Sequence, residues 1–172
     1  MLQSASLDNP KIPVYTCIMR NQNPQPDLRQ FQHVVTQCTC ANLRKTSRVI
    51  TQLYDEFLQS SGLLATQFLL LGAIGTHDSI AVTPLAEQLA LDPTTLARNL
   101  KPLEREGLVK ISKGADRRTR ILKLTDRGRD ALINAYPLWE QAQAWVINQM
   151  GADRQRAMLG DWSDLVSHVQ QR

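Results

Sequence analysis

Residues 83–124 hold the pattern that most constrains what this chain can fold into. Two short helical stretches follow one another almost without a gap, and a pair of alternating stretches comes straight after. Thr83 can cap the first helix, with Pro84 in its first turn and Leu85, Ala86, Leu89 and Ala90 facing inward. Leu91 fills the turn. Asp92 caps the second helix, Pro93 stands in its first turn, and the helix runs to Glu106, where Gly107 stops it. Residues 108–112 and 120–124 then alternate apolar and polar on either side of the polar turn 113–119, which is a β-hairpin signal.

The flanking segments are helical apart from the start. Residues 1–27 carry four of the eight prolines and show no periodicity, so they are expected to form a flexible or extended arm. Residues 28–60 contain neither Pro nor Gly. There Phe31, Val34, Val35 and Cys38, and later Val49, Ile50, Leu53, Tyr54, Phe57 and Leu58, recur at spacings of three and four, which predicts one long helix. A second helix is expected over residues 66–75, and Ile80 and Val82 suit a very short strand. Two helices close the chain. The first carries Leu132, Ala135, Trp139, Ala142, Val146 and Gln149 in a near-heptad seam that Pro137 should kink, and the second carries Met158, Leu159, Trp162, Leu165, Val166 and Val169 on one face. The three tryptophans Trp139, Trp145 and Trp162 are expected to pack an interface rather than bind a ligand.

Helix, tight turn, helix and two-stranded hairpin, in that order, define a winged helix-turn-helix. The fold class is mainly α with a small β-hairpin wing, flanked by N- and C-terminal helices. The expected division is an arm over 1–27, a helix over 28–62, a winged helix-turn-helix lobe over 63–129 and C-terminal helices over 130–172. No stretch approaches the ~20 apolar residues of a membrane helix, and the N-terminus lacks a charged-then-apolar signal pattern. Three cysteines, Cys17, Cys38 and Cys40, argue against a disulfide framework. A cytoplasmic protein without a membrane partner is the expectation.

Charge sharpens this reading. The net charge of +4 is modest, but residues 92–129 hold 11 Lys/Arg against 5 Asp/Glu, a net of +6, and the remainder holds 9 against 11, a net of −2. A basic segment on a near-neutral body is the footprint of a nucleic-acid binder. The second helix would enter the major groove of double-stranded DNA with Pro93, Thr94, Thr95, Arg98, Asn99 and Lys101 on its outer face. Arg pairs with guanine O6/N7 and Asn with adenine N6/N7, while the Thr hydroxyls reach phosphates or a base edge. Leu96, Leu100 and Leu103 recur on the opposite face and hold the helix to the core. Arg117, Arg118 and Arg120 at the hairpin suit the negative potential of a narrow minor groove, with Asp116 orienting a neighbouring Arg.

The strings Leu85-Ala86-Glu87-Gln88-Leu89 through Leu96, Leu103-Glu104-Arg105-Glu106-Gly107-Leu108-Val109, Asp116-Arg117-Arg118 and Leu124-Thr125-Asp126-Arg127-Gly128, taken together and in order, resemble the MarR (multiple antibiotic resistance regulator) family. The likeness covers roughly residues 28–170 and implies that the helices over 28–62 and 130–172 are N- and C-terminal dimerisation helices. It implies a transcription regulator, commonly a repressor, that binds a palindromic operator as a homodimer and is released by a small-molecule effector or an oxidant. It also implies that Asp116 and Arg118 form the wing pair. Pro93 departs from the family, in which many members carry a polar residue there.

Cys38 and Cys40 admit two readings. Buried Cys behaves as a small hydrophobe, and on a helix two residues span about 200°, a poor geometry for a local disulfide. By resemblance, Cys40 instead falls where the organic-hydroperoxide-sensing branch has its reactive Cys. Tyr54 falls on one tyrosine that contacts that sulfur, and Arg44 stands where the branch has another. A metal site from Cys38, Cys40 and His33 suits no common zinc spacing. Arg44, Arg48 and Tyr54 are candidates for an effector pocket, with packing for Tyr54 and solvent for the arginines as the alternative. No cofactor is implied. There is no Gly-rich phosphate loop or nucleophile–base motif, so an enzyme is not expected. A winged helix used only for protein contacts is the remaining rival, and it would need neither the basic helix face nor the Arg-rich wing.

Overall fold

The computed structural model describes residues 27–116 and 119–171. The chain divides into two compact units, one ending at Asn42 and one running from Leu43. The arm expected over residues 1–27, with Cys17, lies almost wholly outside the described residues, as do Arg117 and Arg118.

In the first unit the single helix expected over 28–60 is replaced by a 3-10 turn, Leu28–Phe31, and α1, Gln32–Gln37. The second helix, α2, is Thr39–Leu58. The break is Cys38, whose backbone is extended at φ −67°, ψ 117°. A carbonyl freed by such a break needs a new donor. Asn42 supplies one to Thr36, whose carbonyl accepts from its side-chain amide at 3.0 Å; the Cys38 carbonyl accepts both that amide and the Asn42 backbone N–H, each at 3.0 Å. Periodicity reports which face is apolar and is blind to one residue leaving the helical basin. The premise that Cys38 and Cys40 share a continuous helix falls with it.

In the second unit α2 turns into α3 (Ala65–Gly75) through Gly62 at φ +74°. The Asp55 carboxylate accepts from the Ala65 N–H at 2.7 Å, and the Gln67 side chain accepts from the Leu64 N–H at 2.9 Å. Two of the first orphan donors of α3 are thereby satisfied. α3 is the central core helix, with Phe68, Leu71 and Ile74 buried against Leu58, Leu85, Leu96 and Leu122.

The two short helices are α4, Val82–Gln88, and α5, Pro93–Arg105. α4 begins after Ala81 with no side-chain cap, so Thr83 does not open it, and Val82 belongs to the helix rather than to a strand. The end of α4 also differs from expectation. Ala90 is exposed at φ +51°, with its N–H on the Glu87 carbonyl and the Leu91 N–H on the Ala86 carbonyl at 2.8 Å. This is a Schellman closure with alanine in the left-handed position normally held by glycine. The end of α5 closes the same way with Gly107 at φ +70°, the Leu108 N–H reaching the Leu103 carbonyl at 2.9 Å.

The hairpin is β2 (Val109–Lys113) and β3 (Arg120–Leu124). The very short strand expected around Ile80 forms as β1, Ile80–Ala81, and pairs with β3, so the sheet has three strands in the order β1-β3-β2. Ile80 stands opposite Leu122 and Ala81 opposite Ile121. α6, Asp126–Met150, runs through Pro137 without ending, and α7, Ala152–Gln170, closes the chain. Among the described residues no single helix is long and apolar enough to cross a membrane.

Thr125 joins the base of the hairpin to α6. Its hydroxyl donates to the Gly107 carbonyl at 2.7 Å and accepts from the Gly128 N–H at 3.0 Å, while its own N–H donates to the Leu108 carbonyl at 3.1 Å. The approach is so close that a Cβ on Gly128 would lie 2.0 Å from the Leu108 carbonyl oxygen. The Leu-Thr-x-x-Gly spacing has its physical reason in this junction.

Candidate nucleic-acid interface

α5 is two-faced. Leu96, Leu100 and Leu103 are at most 1% exposed, whereas Pro93, Thr94, Arg98, Asn99 and Lys101 are exposed and Thr95 is half-buried. The Asp92 cap forms as expected, its carboxylate accepting from the N–H groups of Thr94 at 2.9 Å and Thr95 at 3.0 Å. Hydrogen bonds from Thr95 and then Thr94 hold this carboxyl below the ordinary carboxylate range. Those two N–H groups are therefore committed to the cap, and the exposed side chains of Thr94, Arg98, Asn99 and Lys101 face outward.

The wing stands beside this face. Its tip is closed by the Gly114 N–H on the Thr119 carbonyl at 2.9 Å and the Thr119 N–H on the Asp116 carbonyl at 3.0 Å. Arg120 is exposed and pairs across the hairpin with Lys113, and Lys110 pairs with Lys123. Like charges placed directly opposite destabilise a hairpin. Among the described residues none of these four cations forms a salt bridge, nor do Arg98 and Lys101. Between α5 and the wing runs a groove of about 670 Å³ bordered by Thr94, Lys101, Thr119 and Arg120. Sequence reasoning missed Lys110, Lys113 and Lys123. Their signal was the alternation itself, which places Lys110 and Lys123 on the outward face of adjacent strands.

The expected effector residues separate. Arg44 and Arg48 are exposed and border a shallow depression with Leu43 and Ser47. Tyr54 lines a different, apolar cavity of about 450 Å³ between α2, α3, α6 and α7. Its hydroxyl donates to the Gln143 side-chain carbonyl, and burial pushes the phenol above its ordinary pKa. Trp139 stacks on Phe68 with ring centroids 6.1 Å apart and lines this cavity with Trp162, while Trp145 is exposed. Two of the three tryptophans thus line this cavity. Cys40 is exposed and Cys38 half-buried. Among the described residues no cluster of three metal-ligating side chains occurs.

A helix pair on a small sheet, the second helix capped by Asp92 and its exposed cationic face continuing into the wing, defines a winged helix-turn-helix protein. Residues 63–119 match the model of the MarR family. The chain is 32% identical over 90 residues to the organic hydroperoxide resistance transcriptional regulator of Bacillus subtilis, a match spanning 52% of this chain and 61% of that relative. It is similar to the crystal structure of the M. tuberculosis transcriptional regulator MosR in complex with DNA, at 36% identity and a TM-score of 0.70, covering 77% of this chain and 98% of that one. A MarR variant from E. coli complexed with operator DNA superposes with a TM-score of 0.70 at 21% identity, which speaks for the fold. The chain belongs to the MarR family.

Proposed function

We propose that this chain is a DNA-binding transcription regulator that recognises a palindromic operator as a homodimer and acts as a cytoplasmic repressor released by a small molecule. The observation that carries the reading is the outer face of α5, where Arg98, Asn99 and Lys101 stand exposed beside a wing on which the described cations Lys110, Lys113, Arg120 and Lys123 are exposed and face one another in like-charge pairs. An anionic partner would relieve the like-charge pairs of the wing, and phosphate backbones supply it. The relative bound to DNA at 36% identity supports the same reading. The homodimer is supported by exposed apolar side chains on α7 (Leu165, Val166 and Val169) and in the first unit (Phe31, Val34 and Val35). The cavity holding Tyr54 is the proposed seat of the effector.

Fluorescence anisotropy on DNA from upstream of the chain's own gene, taken across a salt series, tests this. Arg98→Ala should weaken binding by about 1–3 kcal/mol, the worth of one bidentate base contact. Native binding that is absent, or indifferent to salt, would overturn the reading.

A second reading is a redox switch at Cys40. It is favoured by the break at Cys38, which places an exposed Cys40 beside non-helical backbone, and by the 32% identical relative named for organic hydroperoxide resistance. In this reading the Cys40 thiolate attacks the peroxide O–O bond and yields a sulfenic acid and an alcohol. Tyr54 would belong to its surroundings only by family resemblance. DNA release by organic hydroperoxide that vanishes in Cys40→Ser supports it, and release unchanged in that variant ends it.

A further inference from the structure

α5 carries two prolines with opposite consequences. Pro93 stands at the first helical position, where its missing N–H would have had no helical partner. Pro102 stands inside the helix. The N–H four residues after Arg98 is therefore missing, so the bond that normally closes on the Arg98 carbonyl cannot form, and the pyrrolidine ring crowds that oxygen. The end of the helix is complete by comparison. The carbonyls of Pro102, Leu103 and Glu104, which a helix terminus ordinarily leaves open, accept from the N–H groups of Glu106, Leu108 and Gly107, each at 2.9 Å. The gap thus falls within the helix and not at its end. It also falls on one side. Leu100 and Leu103 are buried, whereas Pro102 lies about 200° round the axis from Leu100 and one turn after Arg98, on the face that Arg98 presents to solvent.

We infer that the main-chain carbonyl of Arg98 is a base-reading acceptor, and that Pro102 is the positioning residue that keeps it open. This rests on the DNA-binding reading above and names a specificity determinant for it. In the free protein, water meets the oxygen. In the major groove that water is displaced, and an acceptor left without a donor costs free energy. Two bases offer a donor there, cytosine at N4 and adenine at N6. Guanine O6 and N7 and thymine O4 are acceptors and would meet the carbonyl lone pair to lone pair. The carbonyl therefore selects an amino base, cytosine and adenine alike, over a keto base. This signature differs from those of the neighbouring side chains, since a guanidinium such as that of Arg98 favours guanine and an amide such as that of Asn99 favours adenine alone.

Selection of the full chain on a pool of DNA duplexes of randomised sequence, with bound and unbound fractions sequenced, gives the relative affinity for each base at each position. The native chain should show one position per half-site at which cytosine and adenine bind alike and about tenfold better than guanine or thymine. In Pro102→Ala the N–H returns and the helix bond closes over the oxygen. The ratio at that position should then fall close to one, while the melting temperature rises because an interior proline has been removed. Arg98→Ala keeps its carbonyl, so it should lose a guanine preference elsewhere in the half-site and retain the amino-base preference. A Pro102→Ala profile like the native one overturns the proposal. So does uniform weakening at every position, which would make Pro102 a structural residue only, and so does a native profile with no amino-base position. A native chain that binds no duplex fails the DNA-binding reading itself, whereas native selection with an unchanged Pro102→Ala profile fails this inference alone.

Discussion

Two single residues carry opposite tests of the backbone. Gly128 has no room for a side chain, because a Cβ would meet the Leu108 carbonyl oxygen at 2.0 Å. Gly128→Ala must push α6 away from the hairpin base or break the Thr125 hydrogen bonds. Urea denaturation should show a loss of about 2–4 kcal/mol. Ala90 is the reverse case, a residue with a Cβ held at φ +51°. Left-handed backbone costs a non-glycine residue about 1–2 kcal/mol, and glycine returns part of that as unfolded-state entropy. Ala90→Gly should therefore stabilise the protein by about 0.5–1 kcal/mol, read as a raised melting temperature. The glycine at 107 was legible as a stop signal because its chemistry announces a left-handed position. Alanine at 90 announces helix, and only the closure of α4 against the start of α5 shows that it does not continue one.

At the scale of elements, α5 was the most legible part of the chain. Its cap, its N-terminal proline, its three-four leucine spacing and its terminal glycine are near-neighbour signals that agree with one another, and the structure follows each. The cap also gives the helix a pH dependence. Hydrogen bonds from Thr95 and Thr94 depress the Asp92 pKa in the folded state. Its contribution is thus complete above the ordinary carboxylate value of about 3.9 and is lost as pH falls through the lower folded-state value. Asp92→Asn, which still accepts at the cap, should lose less stability than the native protein as pH falls below about 4. Denaturation midpoints measured at several pH values check this. The 28–60 segment was misread at the same scale because its apolar spacing survives the break at Cys38, and the Asn42 side chain that donates to the Thr36 carbonyl across the break is not a periodic feature.

Across the whole molecule, charge is segregated rather than large, with a net of +6 in residues 92–129 and −2 elsewhere. The wing lysines express what this costs and what it serves. Lys110 and Lys123 oppose each other directly, so replacing both with Gln should stabilise the isolated protein by a few tenths of a kcal/mol. The same pair of changes should weaken DNA binding and reduce the salt slope by about 0.9 for each lysine that touches a phosphate. Melting temperature and anisotropy on one variant read both effects. A variant less stable than native, with its salt slope unchanged, would show the lysines to be structural. The candidate DNA face was readable from sequence because charge and caps are local. The effector residues were not, since Arg44 and Arg48 lie near Tyr54 in sequence yet border a different depression.

The order of elements, the two-faced recognition helix, the hairpin and the basic segment follow from the amino-acid sequence alone, because each is written in residues within a few positions of one another. Tertiary structure decided the rest. It paired the short strand at Ile80 with Leu122, and it built an apolar cavity around a hydrogen bond between Tyr54 and Gln143, 89 residues apart. Such pairings depend on which surfaces the packed core brings together, and neither periodicity nor local propensity carries that information.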